Sequence, residues 1–411
     1  MKASTSLKTA LPIVALVLLT GCVTHPVARM SIGTLGVPDA AGTRLPLLSR
    51  VVPMVEGSMS SNETALFVLD TGASRSAISP DQATRWGVTT TALPDTRIFG
   101  ASGETRANGY ARLNRITFGS ASVQEVDVLL LPQLQMMPGM PGIIGIPILS
   151  QAPVLLDGKR GEVRFLAVGT VESNLSALYP GAHWSRLPLR GSGAERWVEM
   201  MADKQSLRMF VDTGSAGSSL QPSAVRKLAL VSVGKKKFRT ADVSGDHLTE
   251  ENVYRLGIRL GSWICELETT AHEDSHTKTD GTLGFDLLGQ VPCVFDNPGQ
   301  SLWVLDVPGG TDVVLHSTMK RRAAVYFEDP LPAFRRFFAI SSAQTGNRQR
   351  LAQVAALLND NASEVRDAAA MAIATLAEKP WPEASRIQEA KAWWESHQSD
   401  PEYQLPAKSQ Q

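Results

Sequence analysis

Two short segments carry the residue types best suited to chemistry. The tripeptide Asp-Thr-Gly occurs at 70–72 and again at 212–214, each time after an apolar run typical of a β-strand. Loops of this kind facing each other would bring the carboxyl groups of Asp70 and Asp212 together. Two carboxylates a few ångströms apart cannot both ionise, so they would share one proton. The ionised group could then take a proton from water while the protonated group stabilises an oxyanion.

The spacing of these aspartates recurs along the chain. They lie 142 residues apart, and Arg-Leu-Pro-Leu at 44–47 returns at the same spacing at 186–189. Further on the spacing shortens to 139, as for Asp157 and Asp296. A period held through several landmarks indicates an internal repeat. At this length the repeat predicts a duplicated domain rather than a solenoid.

Each repeat is predicted to form a mainly β lobe that positions its aspartate loop. Alternating apolar stretches precede the loop, and Pro80 or Pro222 after it marks the first turn of a short helix. Further strands follow, separated by glycine-containing turns. The predicted strand segments are 50–55, 111–118, 123–131, 163–165, 197–201, 253–260, 264–271 and 302–305.

The chain changes character beyond about residue 310, where helical spacing replaces alternation. Apolar residues recur at helical spacing in 349–358 and 365–376, which predicts a helical segment over 345–400. This part resembles a HEAT-type helix pair. One pair cannot form a solenoid alone, so the first interpretation is a helical hairpin packed on the second lobe, and the second is a partner-binding array.

The N-terminal segment predicts export and lipidation. Two lysines precede an apolar run too short to span a bilayer, the pattern of a secretory signal over 1–21. Leu18-Leu19-Thr20-Gly21-Cys22 resembles the lipobox of bacterial lipoproteins, which implies lipid on Cys22 and a lipidated tether over 22–40. Because no aspartate follows Cys22, the outer membrane facing the periplasm, or the cell surface, is expected. The alternative is an ordinary signal peptide with a chance cysteine.

The charge balance argues against nucleic-acid binding, and the cysteines raise the question of a disulfide. Forty basic and forty acidic residues cancel, so the chain lacks the basic character of a nucleic-acid-binding protein. The second lobe contains Cys265 and Cys293, which an oxidising compartment could join in a disulfide. Two free buried thiols are the equal alternative.

One motif suggests a metal site. His272-Glu273-Asp274-Ser275-His276 matches the H-E-x-x-H pattern of zinc peptidases, which needs a helix to bring both imidazoles to one face. Here the motif follows a strand-like stretch and no third ligand is apparent, so a solvated loop and no metal are expected. Similarly, Lys235-Lys236-Lys237 is interpreted as a solvated turn.

The repeated pattern resembles the aspartic peptidases. Their motif is an apolar strand, Asp-Thr-Gly, a helix-starting proline, a flap glycine and an apolar-apolar-glycine strand. The chain is most similar to the retropepsin-like type, here duplicated in one chain as in the pepsins. The resemblance covers about 40–308 and implies two β-barrel lobes, at 41–170 and 178–308.

The resemblance also implies roles for individual residues. Asp70 and Asp212 would be the catalytic pair, the threonines would lock the loops together, and Ser74 would support the Asp70 carboxyl group. The supporting residues are Thr71, Gly72, Ser74, Thr213, Gly214 and Ser215. The flap candidates are Gly100, Ser102, Gly103, Asp242, Ser244 and Gly245.

The function implied is a lipid-anchored aspartic endopeptidase that binds a peptide or protein substrate in extended form. The reaction requires no cofactor. A homodimer is not needed, because one chain supplies both aspartates, and the membrane is contacted through the lipid anchor. The alternative is an inactive peptide-binding or scaffold lipoprotein that uses the same cleft and the C-terminal helices.

Overall fold

The chain folds into two β lobes followed by a helical unit. In the computed structural model the described residues are 30–49, 51–60, 63–100, 103–132, 134, 142–202, 204–242, 245–271, 278–306, 315–317, 332–344, 348–400 and 403. The mainly β class with C-terminal helices, predicted from the sequence, is confirmed.

The first lobe contains a closed barrel. Its strands are β1 (Ile32–Gly36), β2 (Thr43–Pro46), β3 (Met54–Ser60), β4 (Glu63–Asp70), β5 (Ala77–Ile78), β6 (Thr90–Gly100), β7 (Gly103–Phe118), β8 (Ala121–Leu130), β9 (Gly142–Gly145), β10 (Val154–Asp157) and β11 (Glu162–Phe165). The sheet order is β1-β8-β5-β9-β4-β3-β7-β6, and β7 also pairs with β8. Six strands therefore close into a barrel that holds β4, the strand ending at Asp70.

The second lobe repeats this arrangement. Its strands are β12 (Trp184–Pro188), β13 (Arg190–Ser192), β14 (Glu195–Ala202), β15 (Gln205–Val211), β16 (Ser219–Leu220), β17 (Gly234–Asp242), β18 (Gly245–Leu260), β19 (Trp263–Ala271), β20 (Gly281–Leu283), β21 (Cys293–Asp296), β22 (Ser301–Leu305) and β23 (Leu315–Ser317). The order β14-β15-β20-β16-β19-β18 closes through a β14–β18 pairing, just as the first barrel closes. The aspartate strand of each lobe is thus held at the equivalent place.

A third sheet joins the lobes, and an approximate two-fold axis relates its two halves. Its order is β12-β22-β21-β10-β11-β2, with three strands from each lobe. At its centre Leu155 pairs with Val294, flanked by Val154 with Phe295 and Leu156 with Cys293. Adding 139 to the residue numbers of β10 gives those of its partners in reverse order, so the two halves of this sheet are related by symmetry.

The helices are short within the lobes and longer at the C-terminus. They are α1 (Pro80–Arg85), α2 (Ile146–Leu149), α3 (Val171–Leu178), α4 (Pro222–Lys227), α5 (Phe285–Leu288), α6 (Pro332–Gln344), α7 (Leu351–Ala356), α8 (Ser363–Leu376) and α9 (Arg386–His397). Proline begins both α1 and α4, as expected from its fixed backbone angle. Helix α3 connects the lobes.

The helical unit, formed by helices α6 to α9, begins earlier in the chain than predicted and packs on a different lobe from the one predicted. Helix α6 starts at Pro332, before the predicted boundary at 345. The sequence predicted packing on the second lobe, whereas the described contacts of α6 with the lobes are made with the first lobe. Ile340 of α6 packs on a cluster of buried first-lobe side chains, here called the seam cluster: Leu48, Val52, Met54, Leu66 and Val68. Helical periodicity predicts that one face is buried, but it does not identify the covering surface.

The predicted tether over 22–40 also needs correction over its described part. Residues 32–36 form β1, which pairs with β8, and Met30 is buried. The Ser31 N–H donates to the Asp127 carboxylate (2.8 Å), which Arg112 also binds. The free edge of β8 provides backbone partners for this segment, so it joins the first lobe.

Two further predictions concern the membrane and the cysteines. Cys22 and the signal segment lie outside the described residues. Among the residues that are described, no helix is long and apolar enough to cross a bilayer. Cys293 is a free, buried thiol, so the structure has the unbridged alternative at this position. Burial raises the pKa of this thiol to about 12, with a further contribution from the Asp157 charge.

Candidate functional site

The two aspartate loops meet where the lobes join. Asp70 ends β4 and pairs with Gly145 of the parallel strand β9. Asp212 directly follows β15, and its N–H donates to the Leu283 carbonyl of β20 (3.1 Å). Parallel strands thus place both aspartates at equivalent points of their barrels.

A reciprocal set of hydrogen bonds locks these loops together. The Thr71 hydroxyl donates to the Val211 carbonyl (2.7 Å) and accepts from the Thr213 N–H (3.0 Å). In return, the Thr213 hydroxyl donates to the Leu69 carbonyl (2.5 Å) and accepts from the Thr71 N–H (3.1 Å). Both threonines are buried, so each of these bonds satisfies groups that water cannot reach.

The glycines let each loop approach the opposite carboxyl group. A Cβ placed on Gly72 would lie 2.7 Å from Cγ of Asp212. A Cβ on Gly214 would approach the Asp70 carboxyl group even more closely. No side chain fits at such separations, so the contact between the lobes depends on glycine at both positions.

The two carboxyl groups lie close enough for each to shift the pKa of the other. Asp70 Oδ1 accepts from the N–H groups of Gly72 (2.8 Å) and Ala73 (3.0 Å). Asp212 Oδ1 accepts equivalently from Gly214 (2.9 Å) and Ser215 (3.2 Å). The backbone therefore fixes the orientation of both carboxyl groups.

Burial determines the proton affinity of the pair. Desolvation raises the pKa of Asp70, and it raises the pKa of Asp212 well above the ordinary value, with the Asp70 charge as the next cause. Both residues keep part of their surface exposed, so water can still reach them. The pair therefore retains one shared proton into a pH range where an ordinary aspartate would be ionised.

A pair of buried serines behind these loops was missed in the sequence. Ser76 Oγ accepts from the Gly145 N–H (3.0 Å), and Ser218 Oγ accepts from the Gly284 N–H (2.9 Å). The two serines are 142 residues apart, so the period that relates the aspartates would have identified them. They connect each aspartate loop to the strand threaded behind it.

Asp286 adds a charge behind the second loop only. Its Oδ1 accepts from the Ser218 hydroxyl (2.7 Å), the Ser218 N–H (2.9 Å) and the Leu287 N–H (2.9 Å). The position 139 residues earlier is Pro147, which has no acceptor side chain. The motif comparison gave no signal for Asp286, because it lies in the short helix after the apolar-glycine strand.

In the contacts that the structure describes, Ser74 has no supporting role, and Ser215 has one through the backbone. Ser74 is exposed, and no hydrogen bond from its hydroxyl group to Asp70 is found among the described residues. The backbone N–H groups of Gly72 and Ala73 perform that role instead. The Ser215 hydroxyl donates to the Gly217 carbonyl (2.8 Å), so this residue supports Asp212 through its N–H rather than its side chain.

The flap candidates lie at the tips of two equivalent hairpins. Gly100 pairs with Gly103 at the end of β6 and β7, and Asp242 pairs with Gly245 at the end of β17 and β18. The two-residue connections, which contain Ser102 and Ser244, lie outside the described residues. Ile98 and Tyr110 of the first hairpin pack on the same apolar cluster as Ala73 of the Asp70 loop. This hairpin is therefore anchored next to the aspartate.

The H-E-x-x-H motif over 272–276 lies outside the described residues. Within the described part of the chain, no group of three or more His, Cys, Asp or Glu side chains could hold a metal ion. The chemistry that the geometry supports is that of the carboxyl pair.

The family comparison concerns the first lobe. Residues 55–148 match the sequence model of the family described as aspartyl protease. No curated protein matches the chain. The crystal structure of the aspartic proteinase from Irpex lacteus aligns with 68% of this chain and 99% of that chain, at 13% identity and a TM-score of 0.43. The family match covers less than a quarter of the chain, and it places Asp70 and its loop within an aspartyl protease sequence pattern.

Proposed function

We propose that this protein is a lipid-anchored aspartic endopeptidase. Asp70 and Asp212 activate a water molecule held between them, and this water hydrolyses a peptide bond of the substrate. The observation that carries the proposal is the close approach of the two aspartate loops at the junction of the lobes, where each glycine lies against the opposite carboxyl group. The family match over residues 55–148 supports a peptidase function independently of the geometry. The finer assignment is an endopeptidase in which each lobe supplies one catalytic aspartate, and it depends on the Asp70–Asp212 pair.

The proposed reaction uses the shared proton of the pair. The ionised carboxylate takes a proton from a water molecule, whose oxygen attacks the peptide carbonyl carbon. The protonated carboxyl group donates a hydrogen bond to the carbonyl oxygen as negative charge develops there. The carboxyl group that took the proton from water then donates it to the amide nitrogen, the carbon–nitrogen bond breaks, and an amine leaves as the new carboxylic acid forms. Because the pair titrates as a unit, the acid and base roles are assigned to the pair and not to either aspartate alone.

The substrate is proposed to be a peptide in extended form. The β6–β7 and β17–β18 hairpins have backbone groups that could pair with an extended strand. The matching order of elements in the two lobes supports their origin from one duplicated unit. One chain supplies both aspartates, so no homodimer is required.

The anchor is proposed to be lipid on Cys22, with the protein at the outer membrane facing the periplasm or at the cell surface. The sequence resemblance to a lipobox supports this. Replacing Cys22 with Ser should release the protein from the membrane fraction. Retention of the Cys22→Ser variant in that fraction would contradict lipid anchoring without affecting the peptidase proposal.

The central experiment measures cleavage of a peptide library by the wild type, Asp70→Asn and Asp212→Asn. Each substitution should abolish cleavage, and a statine-type inhibitor should block the wild type. Activity should fall as pH rises through the raised pKa of the pair, because the shared proton is then lost. Asp280→Asn, at a half-buried position of the second lobe, is the control and should remain active, because asparagine keeps an oxygen that can accept from the Arg208 N–H.

Three outcomes would contradict the proposal. Full activity in Asp70→Asn would exclude the carboxyl pair as the catalytic group. Inhibition by a chelator with no effect of the aspartate substitutions would instead favour a metal-dependent reaction. Peptide binding without turnover, unchanged in Asp70→Asn, would favour the scaffold alternative.

A further inference from the structure

Helix α6 presents two different faces. Phe338 and Ala339 are buried in the core of the helical unit, and Arg335 forms a two-point ion pair with Asp360 before α8. Arg336 and Ile340 are four residues apart, so they share another face of the helix. The first face holds α6 in the helical unit and the second contacts the lobes.

The second face joins the helical unit to the first barrel. Arg336 forms an ion pair with Glu56 of β3, and both side chains are about one-quarter exposed. Ile340 packs on the seam cluster, and it also packs on the core of the helical unit. A single side chain thus connects the two hydrophobic cores.

The seam cluster lies directly on the strand that carries the first aspartate. Leu66 and Val68 belong to this cluster and precede Asp70 by four and two residues on β4. Their neighbours Phe67 and Leu69 point to the opposite face, into the barrel core. Helix α6 therefore covers the outer face of this strand.

The same cluster also contacts the second aspartate loop. Ala216, four residues after Asp212, packs on it from the second lobe. The threonine hydrogen bonds join the loops to each other, and this cluster connects both loops to the helical unit. A change in its packing would therefore reach both carboxyl groups.

We propose that Ile340 and Arg336 are positioning residues for the Asp70–Asp212 pair, and this inference rests on the proposed function. The helical unit is then a brace for the carboxyl pair rather than an independent appendage. Removing Ile340 would leave a space beside the seam cluster into which β4 and the Asp212 loop can relax. Displacements of about 1 Å in a catalytic group can lower a rate by about 100-fold.

The kinetic test compares Ile340→Ala with Ile387→Ala in the full-length protein. Ile387 lies on α9 and packs on the helical core, so its substitution removes the same atoms without contacting the seam cluster. Ile340→Ala should lower kcat about tenfold and change KM by less than about threefold, because the loss lies in alignment rather than in substrate binding. Ile340→Val should largely restore kcat.

The ion pair provides a second, independent test. Arg336→Glu places two acidic groups together and should lower kcat, and Glu56→Arg in the same protein should restore it. Restoration would show that the contact itself is needed. Equal kcat losses in the Arg336→Glu single variant and in the double variant would contradict a role for this pair.

A structural readout separates this inference from the proposed function. Hydrogen exchange measured by mass spectrometry should be faster in Ile340→Ala than in wild type over residues 63–70 and 205–216. Ile387→Ala should leave both segments unchanged. Faster exchange in a protein with no peptidase activity would support the brace and reject the peptidase. Unchanged exchange and unchanged kcat in Ile340→Ala would overturn the brace.

Discussion

The Asp70 and Asp212 loops have the same core and different surroundings. In both, a threonine binds the opposite strand, two N–H groups bind the carboxylate, and a glycine contacts the other carboxyl group. All of these interactions use the backbone or a residue type found at the same position in both loops. The shared part of the site is therefore the part that the carboxyl chemistry needs from each lobe equally.

The two loops differ in the residues that lie behind them. Ser218 is bound to the Asp286 carboxylate, whereas Ser76 has Pro147 at the corresponding position. Arg75, which follows Ser74, corresponds to Gly217 in the second lobe. A pair that shares one proton does not need identical environments, so the residues behind the two loops can differ without loss of the pair.

We expect the largest effect from substituting the glycines that both aspartate loops have in common. Gly214→Ala would place a methyl group against the Asp70 carboxyl group, so one loop must move. We expect peptide cleavage to fall by about 100-fold or more, since small displacements of reacting groups have large effects on rate. Gly72→Ala should act in the same direction but less strongly, because its Cβ would lie 2.7 Å from Cγ of Asp212.

The measurement for both variants is kcat/KM on the same peptide, with unfolding followed in parallel. Gly87→Ala, at an exposed turn where an added Cβ meets nothing within 4 Å, is a control for the substitution type away from the site. Its positive φ of 59° will cost some stability, but it should not reduce cleavage. Cleavage by Gly214→Ala at the wild-type rate would show that the lobes do not need their close contact.

A smaller effect tests the residues behind the two loops through the two serines. Ser76→Ala leaves one buried N–H group without its acceptor, and Ser218→Ala does the same while also removing a donor to the Asp286 carboxylate. Hydrogen bonds to charged groups contribute about 1.5–3 kcal/mol and neutral ones about 0.5–1.5 kcal/mol. Ser218→Ala should therefore lower the free energy of unfolding more than Ser76→Ala, as measured by urea denaturation.

The Asp286→Asn variant sharpens this comparison. If the extra loss in Ser218→Ala comes from the carboxylate, Ser76→Ala and Ser218→Ala should become similar once position 286 carries no charge. Equal losses in the two single variants would instead mean that Asp286 contributes nothing to this loop.

The comparison of the loops also explains what the sequence could predict. The period of 142 and the Asp-Thr-Gly tripeptides sufficed for two β lobes, because the short-range pattern of strands, turns and helix-starting prolines is local. The assignment of Ser74 failed because backbone N–H groups, which every residue has, take the position that a side chain was expected to fill. Ser76 and Ser218 were recoverable from the same period, since both are serine at the expected spacing.

Contacts between distant segments were beyond the sequence. The strand at 32–36 was expected to be a tether, because nothing local indicates that the edge of β8 is free to pair with it. Likewise, the amphipathic pattern of the C-terminal helices shows a buried face, but the docking of Ile340 on the seam cluster depends on how two lobes and a helix meet in space.

The smallest expected effect concerns the stability of the pair itself. A carboxyl group whose pKa is raised on folding stabilises the folded state below its unfolded pKa, and that contribution is lost as pH rises through the folded pKa. Burial raises the pKa of both aspartates, and the Asp70 charge further raises that of Asp212, so the wild type should lose stability between acidic and neutral pH. Asp212→Asn removes this loss and should raise Tm by a few degrees at pH 7, with little change at pH 3. Asp70→Asn should act in the same direction but less strongly, because the pKa of Asp70 is raised less than that of Asp212. A lower Tm for both single variants at pH 7 would mean that the ionised pair is stabilised in the folded protein, contrary to the close contact between the two loops.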